Sequence, residues 1–147
     1  GKETVLFSCS FNSVRSQIAE GLLRARCGDR YEIFSAGIAT AGLNPSAVAV
    51  MREIDIDISQ QRVKTLNCFS GRKFTCVVTL CDHARLALAG SLPVGLYNNH
   101  RAFTSPSELR RNKADLLAEY RTLRDDINDW LTELFPDCPD SLKSNRR

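Results

Sequence analysis

Along this chain, short continuous apolar runs alternate with segments in which apolar positions recur every three or four residues. Residues 4–8 (TVLFS) form a β-branched and aromatic run of the kind carried by a strand buried on both faces. From Ser16 to Cys27, Ile18, Leu22 and Ala25 fall at helical spacing and Gly28 supplies a stop, so strand, polar loop and helix follow one another. Residues 31–37 (YEIFSAG) read as a second strand. Asn44-Pro45 marks a helix start, with proline at the first helical position, ahead of the segment SAVAVMREI. The strongest strand signal is TCVVTL (75–80), which runs into Cys81, and a weaker one lies in PVGLYN (93–98). Leu116, Tyr120, Leu123, Ile127, Trp130 and Leu134 alternate steps of four and three, which builds one apolar face of a long helix that should pack on the sheet and end at Pro136.

Strands alternating with helices predict an α/β fold in three layers, a parallel sheet with helices on both faces and ligands at the carboxyl ends of the strands. Both Cys9 and Cys81 fall at such ends. The domain is expected to span residues 1–136, with 137–147 a polar, loose tail.

Composition narrows this only slightly. A chain of 147 residues, 43% hydrophobic and 25% charged, suits one domain with a real core. A net charge of +3 and a pI near 8.6 are too mild for nucleic-acid binding, yet they allow a local anion site. No apolar run approaches membrane-spanning length and no secretory signal is evident, so cytoplasmic location is the expectation, and a monomer is the default. The six cysteines, at 9, 27, 68, 76, 81 and 138, show neither two-residue spacing nor a finger-like arrangement with His83 and His100. No metal is expected, and in a reducing compartment all six should be free thiols, with Cys27 and Cys76 buried and inert.

The chemistry concentrates in CSFNSVRS, residues 9–16. Cys-x5-Arg spacing is common by chance in a chain this rich in both residues; the strand–loop–helix setting is what gives it meaning. A loop that ends at a helix N-terminus aims the backbone N–H groups of Ser10, Phe11, Asn12, Ser13, Val14 and Arg15 inward, where they and the helix dipole cradle a tetrahedral oxyanion. Arg15 adds a planar, permanently charged fork. The same field stabilises a thiolate, which makes Cys9 a nucleophile at neutral pH. Ser16 can donate to that sulfur or, alternatively, cap the helix, while Asn12 tolerates the left-handed backbone of a tight loop.

The stretch VLFSCSFNSVRSQIAEGLLR resembles the N-terminal signature of the low-molecular-weight protein tyrosine phosphatase superfamily, and NSVRSQIAEG is closest to its arsenate reductase branch. The likeness continues through FSAG, NPSAVAVMREIDIDIS, VVTLCDHA, HRAF and YRTLRDDI, and so covers most of residues 4–134. It implies a four-stranded parallel sheet with flanking helices. It also implies that Cys9 attacks arsenate and that Cys81, after the VVTL strand, attacks the resulting adduct and expels arsenite, leaving a disulfide.

Three departures from the family pattern bear on activity. The third cysteine of thioredoxin-coupled members, seven residues after the second, is replaced by Leu88. Recycling is therefore expected through thioredoxin acting on the Cys9–Cys81 disulfide itself, through glutathione with glutaredoxin, or through Cys68 as an accessory thiol in the polar loop NCFSGRK. The aspartate pair that precedes Pro106 and supplies the phosphatase general acid is replaced by Thr104 and Ser105, which weighs against phosphomonoester hydrolysis. The acidic side chain that some members use to hold potassium after DIDIS gives way to Arg62 and Lys64. Val14 stands where a loop cysteine is common. His83 and Arg85 could keep a Cys81 thiolate ionised or simply be exposed, and His100 is assigned no role. An arsenate reductase is the leading expectation; a tyrosine phosphatase or small-molecule phosphatase, and a non-catalytic oxyanion-binding or redox-sensing module, are the alternatives.

Overall fold

A computed structural model describes residues 2–89, 94–106 and 112–142. Four strands, β1 (Glu3–Cys9), β2 (Tyr31–Gly37), β3 (Lys73–Thr79) and β4 (Val94–His100), form one parallel sheet in the order β2-β1-β3-β4. The order reverses between β1 and β3, and the crevice at the carboxyl ends of those two strands is where open α/β sheets bind ligands. Ser8 pairs with Thr79 there, so Cys9 and Cys81 leave neighbouring strands at the same edge.

Helices α1 (Arg15–Cys27), α2 (Pro45–Arg52) and α4 (Lys113–Leu134) cover one face. Ile18, Leu22, Val50, Met51, Leu123 and Ile127 from these helices pack on Val5, Phe7 and Val78 of the sheet. Helix α3 (Asp82–Ala89) and a 3-10 turn at Leu66–Phe69 serve the other face, where Phe69 and half-buried Leu88 pack with Leu6, Phe74 and Val77. Three layers result, as the alternation of strands and helices predicts. Asn44 caps α2 as its position before Pro45 implies, its Oδ1 accepting from the Ser46 and Ala47 amides.

Two expectations fail. Cys27 and Cys138 are joined in a disulfide rather than free, 111 residues apart in sequence and both buried. With that link the segment after Pro136 is not loose through residue 142. Cys138 and Leu142 are buried in the main core, and Arg26 donates to the Cys138 carbonyl at 2.8 Å and to the Asn128 side chain at 2.9 Å. The packed domain therefore runs past 136, and residues 143–147 lie outside the described residues. Among the described residues no helix is long and apolar enough to cross a membrane.

Candidate functional site

Ser10–Val14 form the turn between β1 and α1. Their carbonyls face outward. Those of Cys9, Ser10, Phe11 and Ser13 accept from the amides of Ile38, Ala39, Ala41 and Asn44 at 3.0–3.2 Å, and that of Asn12 accepts from the Gln17 side chain at 3.1 Å. The C=O and N–H of one peptide unit point in opposite directions, so the amides of Ser10 to Val14 turn to the inside of the loop. Helix α1 adds its own first amides, because its N-cap residue, Val14, makes no side-chain cap. Ser16 is thus not the cap but the second residue of the helix. Gly37 lets β2 close against the loop, for a Cβ there would stand 2.7 Å from the Asn12 nitrogen and 2.8 Å from the Phe11 carbonyl carbon.

Asn12 is the hub of this loop. It is fully buried and left-handed, with φ of 52°. Its Oδ1 accepts from the Lys64 amide at 3.0 Å and from Gln17 Nε2 at 2.9 Å. A backbone N–H can only donate, so the orientation of the Asn12 amide is fixed and its Nδ2 must be the atom facing Ser16 Oγ (2.8 Å) and Ser35 Oγ (2.9 Å). The Ser16 hydroxyl, already accepting there, has its proton available for Cys9 Sγ at 2.9 Å. Ser35 in turn donates to Glu20 Oε1. A directed chain of donors therefore runs out from Asn12, to the Cys9 sulfur on one side and to the buried Glu20 carboxylate on the other. Each branch presents a hydroxyl donor to the atom at its end.

Arg15 completes the cradle. Its Nη1 donates to the Phe103 carbonyl at 2.7 Å, while its Nε is buried and has no hydrogen-bond partner. A buried guanidinium nitrogen left open beside inward-turned amides suits an anion with several acceptor oxygens. The cleft over Cys9, Ser13, Val14 and Arg15 measures about 230 Å³, below the roughly 300–1,000 Å³ of sites for drug-sized ligands. Its far wall is Ser105, Pro106 and Tyr120, and the Phe11 side chain stands at its mouth, 53% exposed.

Cys81 lies behind this cleft rather than in its lining. Its sulfur is 3.3 Å from Ser10 Oγ and accepts from the Ala84 amide at 3.4 Å, so it sits at the N-terminal end of α3. Cys68 is exposed on the 3-10 turn and lines no part of the cleft. Burial inside β3 pushes the Cys76 thiol above its ordinary value, as befits an inert core residue. Cys27 ends α1, about 18 Å from Arg15 at the helical rise, too far to serve the loop. His83 and Arg85 are exposed.

The comparisons with known proteins bear on the family and the fold. The family model for low molecular weight phosphotyrosine protein phosphatases matches residues 4–146. The chain belongs to that family. An arsenate reductase of Halalkalibacterium halodurans is 38% identical over 126 residues, which span 86% of this chain and 90% of that protein. One from Bacillus subtilis is 35% identical over 129 residues, 88% of this chain and 92% of that protein. Among solved structures, an arsenate reductase in its oxidized state superposes with a TM-score of 0.78 at 24% identity, over 92% of this chain and 98% of that one.

Within the low molecular weight phosphatase family this chain has its own features. Ser105 lines the cleft next to Pro106, so a hydroxyl occupies the wall where the family pattern has a carboxylic acid. The Lys64 ammonium lies 3.9 Å from the Glu20 carboxylate and donates to the Arg62 carbonyl. Burial holds its pKa below the ordinary lysine value, against the opposing pull of Glu20. Among the described residues no group of three or more histidine, cysteine or carboxylate side chains is placed to share a metal ion. Gln17, Glu20, Ser35 and Gly37 are structural partners of the site that the sequence reading did not single out. The one available signal was three polar residues, Ser16, Gln17 and Glu20, set in the first turns of a helix that is buried nearly all round.

Proposed function

We propose that this protein is a cytoplasmic arsenate reductase. The observation that carries the reading is the second thiol: Cys81 touches Ser10, the residue next to Cys9, while no carboxylate stands at 104 or 105 to serve hydrolysis. Arsenate enters the cradle and accepts from the loop amides and Arg15. The Cys9 thiolate attacks arsenic(V), an As–S bond forms, and an oxygen leaves as water once protonated. The Cys81 thiolate then attacks the Cys9 sulfur. An S–S bond forms, the As–S pair stays on arsenic, and arsenic(III) departs as arsenite, so two thiols lose the two electrons that arsenic gains. Phosphate occupies the same cradle without this outcome, because phosphorus(V) does not accept the pair.

Ser16 and Asn12 hold the charge on Cys9, and Ser10, Phe11, Ser13 and Val14 contribute their amides. Lys64 supplies beside Glu20 the positive charge that a bound cation supplies in other members. An external thiol, thioredoxin or glutathione with glutaredoxin, reduces the Cys9–Cys81 disulfide. Cys68 is the accessory thiol to test, since the Leu66–Phe69 turn that bears it packs in the same apolar cluster as Leu88. The buried Cys27–Cys138 bond is compatible with a reducing compartment because thiol exchange requires access to the sulfur.

The deciding experiment incubates fully reduced protein with arsenate and maps disulfides by mass spectrometry. A Cys9–Cys81 link dependent on arsenate, abolished in Cys81→Ser while inorganic phosphate still protects Cys9 from alkylation, is the expected result. Absence of that link in the wild type overturns the reading. Nitrophenyl phosphate turnover that survives in Cys81→Ser transfers the assignment to a phosphatase.

A further inference from the structure

His100 ends β4 and pairs in register with Thr79, the last residue of β3. Its imidazole crosses the turn that carries Cys81. Nδ1 lies 2.7 Å from Thr79 Oγ1 and Nε2 lies 2.8 Å from Asp82 Oδ1, so the ring ties together the residues on either side of Leu80 and Cys81. Asp82 is the first residue of α3, and the amide that faces the Cys81 sulfur, Ala84, belongs to the same first turn. The clamp fixes the proton on Nε2 and survives either protonation state of Nδ1. A carboxylate only accepts, so Nε2 carries a proton; Thr79 then donates to a bare Nδ1, or rotates and accepts from a protonated one, its own hydrogen turning to the Asn99 carbonyl at 3.5 Å.

We propose that His100 is a positioning residue for the resolving thiol: through Thr79 and Asp82 it holds the start of α3 so that Cys81 Sγ stays against Ser10, the residue next to Cys9. The proposal rests on the reading of Cys81 as the resolving cysteine. Helix α3 needs such a clamp because its own packing is slight. Of its eight residues only Ala84 is buried, and Leu86 is 70% exposed. Without the ring, the turn keeps Cys81 chemically intact but spreads it over positions from which attack is slow, and a displacement of about 1 Å is enough for a loss on the order of 100-fold.

The test compares wild type with His100→Ala, Asp82→Ala and the double variant, and uses diamide as the oxidant so that arsenate chemistry is not required. Diamide takes two electrons and two protons from the thiol pair, becoming the hydrazine as the Cys9–Cys81 bond forms. The rate of that bond is read by rapid alkylation and peptide mapping. In His100→Ala it is expected to fall about 10- to 100-fold, while Cys9 alkylation by iodoacetamide and its protection by inorganic phosphate stay within about twofold of wild type. Asp82→Ala should fall similarly, and the double variant no further, because both remove one device. His100→Gln, which can bridge one partner, should recover part of the rate. Unchanged bond formation in His100→Ala overturns the proposal, as does a loss of Cys9 alkylation in parallel, which marks general disruption of the site. A wild type that forms the link with diamide but not with arsenate leaves the clamp standing and removes the reductase reading instead.

Discussion

Replacing Asn12 by alanine tests whether the loop is held by one side chain. The residue is fully buried and takes part in four side-chain hydrogen bonds, to Ser16, Ser35, Gln17 and the Lys64 amide. At about 1 kcal/mol net for each such bond, their loss amounts to about 4 kcal/mol. Partial collapse or water entry offsets some of this, so about 2–4 kcal/mol is expected, a large part of the roughly 5–15 kcal/mol that holds an ordinary domain together. Asn12→Gly separates the two contributions. It loses the same bonds but relieves the left-handed backbone at φ of 52°, and should be about 1 kcal/mol less damaged than Asn12→Ala. Urea unfolding followed by the fluorescence of Trp130, the chain's one tryptophan, packed 5.8 Å from Phe103, reports both. A loss below about 1 kcal/mol in Asn12→Ala would refute the view that these four contacts set the loop, and equal losses in the two variants would refute the backbone contribution.

The Cys27–Cys138 bond closes a loop with a sequence separation of 111, for which chain-entropy reasoning gives about 5 kcal/mol and observed losses run about 2–5 kcal/mol. Cys138→Ser should therefore unfold at markedly lower urea with Cys9 alkylation unchanged, and denatured but unreduced wild type should titrate four thiols, matching the free Cys9, Cys68, Cys76 and Cys81; six would refute the bond. Glu53, whose carboxyl is held below its ordinary value chiefly by hydrogen bonding to Arg121, contributes stability that is complete above pH 4.5 and is lost as pH falls through the lowered value. Glu53→Gln should cost about 1 kcal/mol or less at pH 7, since the pair with Arg121 is partly exposed, and the gap to wild type should close in acid; a gap that widens there would contradict the assignment.

Strands β1 and β3 were legible because parallel strands buried on both faces are written as unbroken apolar runs, the edge strand β4 only weakly because it leaves Leu96 and Tyr97 exposed, and α2 because Asn44-Pro45 is a start signal that needs no partner. Helix α3 was not: with Leu86 exposed and only Ala84 buried it lacks the apolar stripe that marks a helix. Cys9, Arg15 and Cys81 could be read from one motif and one strand end. Of the residues that brace them, Asn12 and Ser16 lie in the same motif, but their partners could not be read, since Asn12 meets Ser35 and the Lys64 amide at separations of 23 and 52 residues, and Glu20 looks like a solvated charge until the fold buries it. The link between Cys27 and Cys138 has no local sequence mark, because only folding brings the end of α1 to the tail.

The outward carbonyls of the loop have a kinetic meaning. Cys9, Ser10, Phe11 and Ser13 are moored by the segment 38–44, of which Ala41 and Asn44 also line the cleft, and Asn12 is moored by Gln17. The loop is consequently shaped before anything arrives, and an incoming ion sheds its hydration shell without the loop rearranging around it. Capture should then show a single concentration-dependent phase, with no slower isomerisation following it.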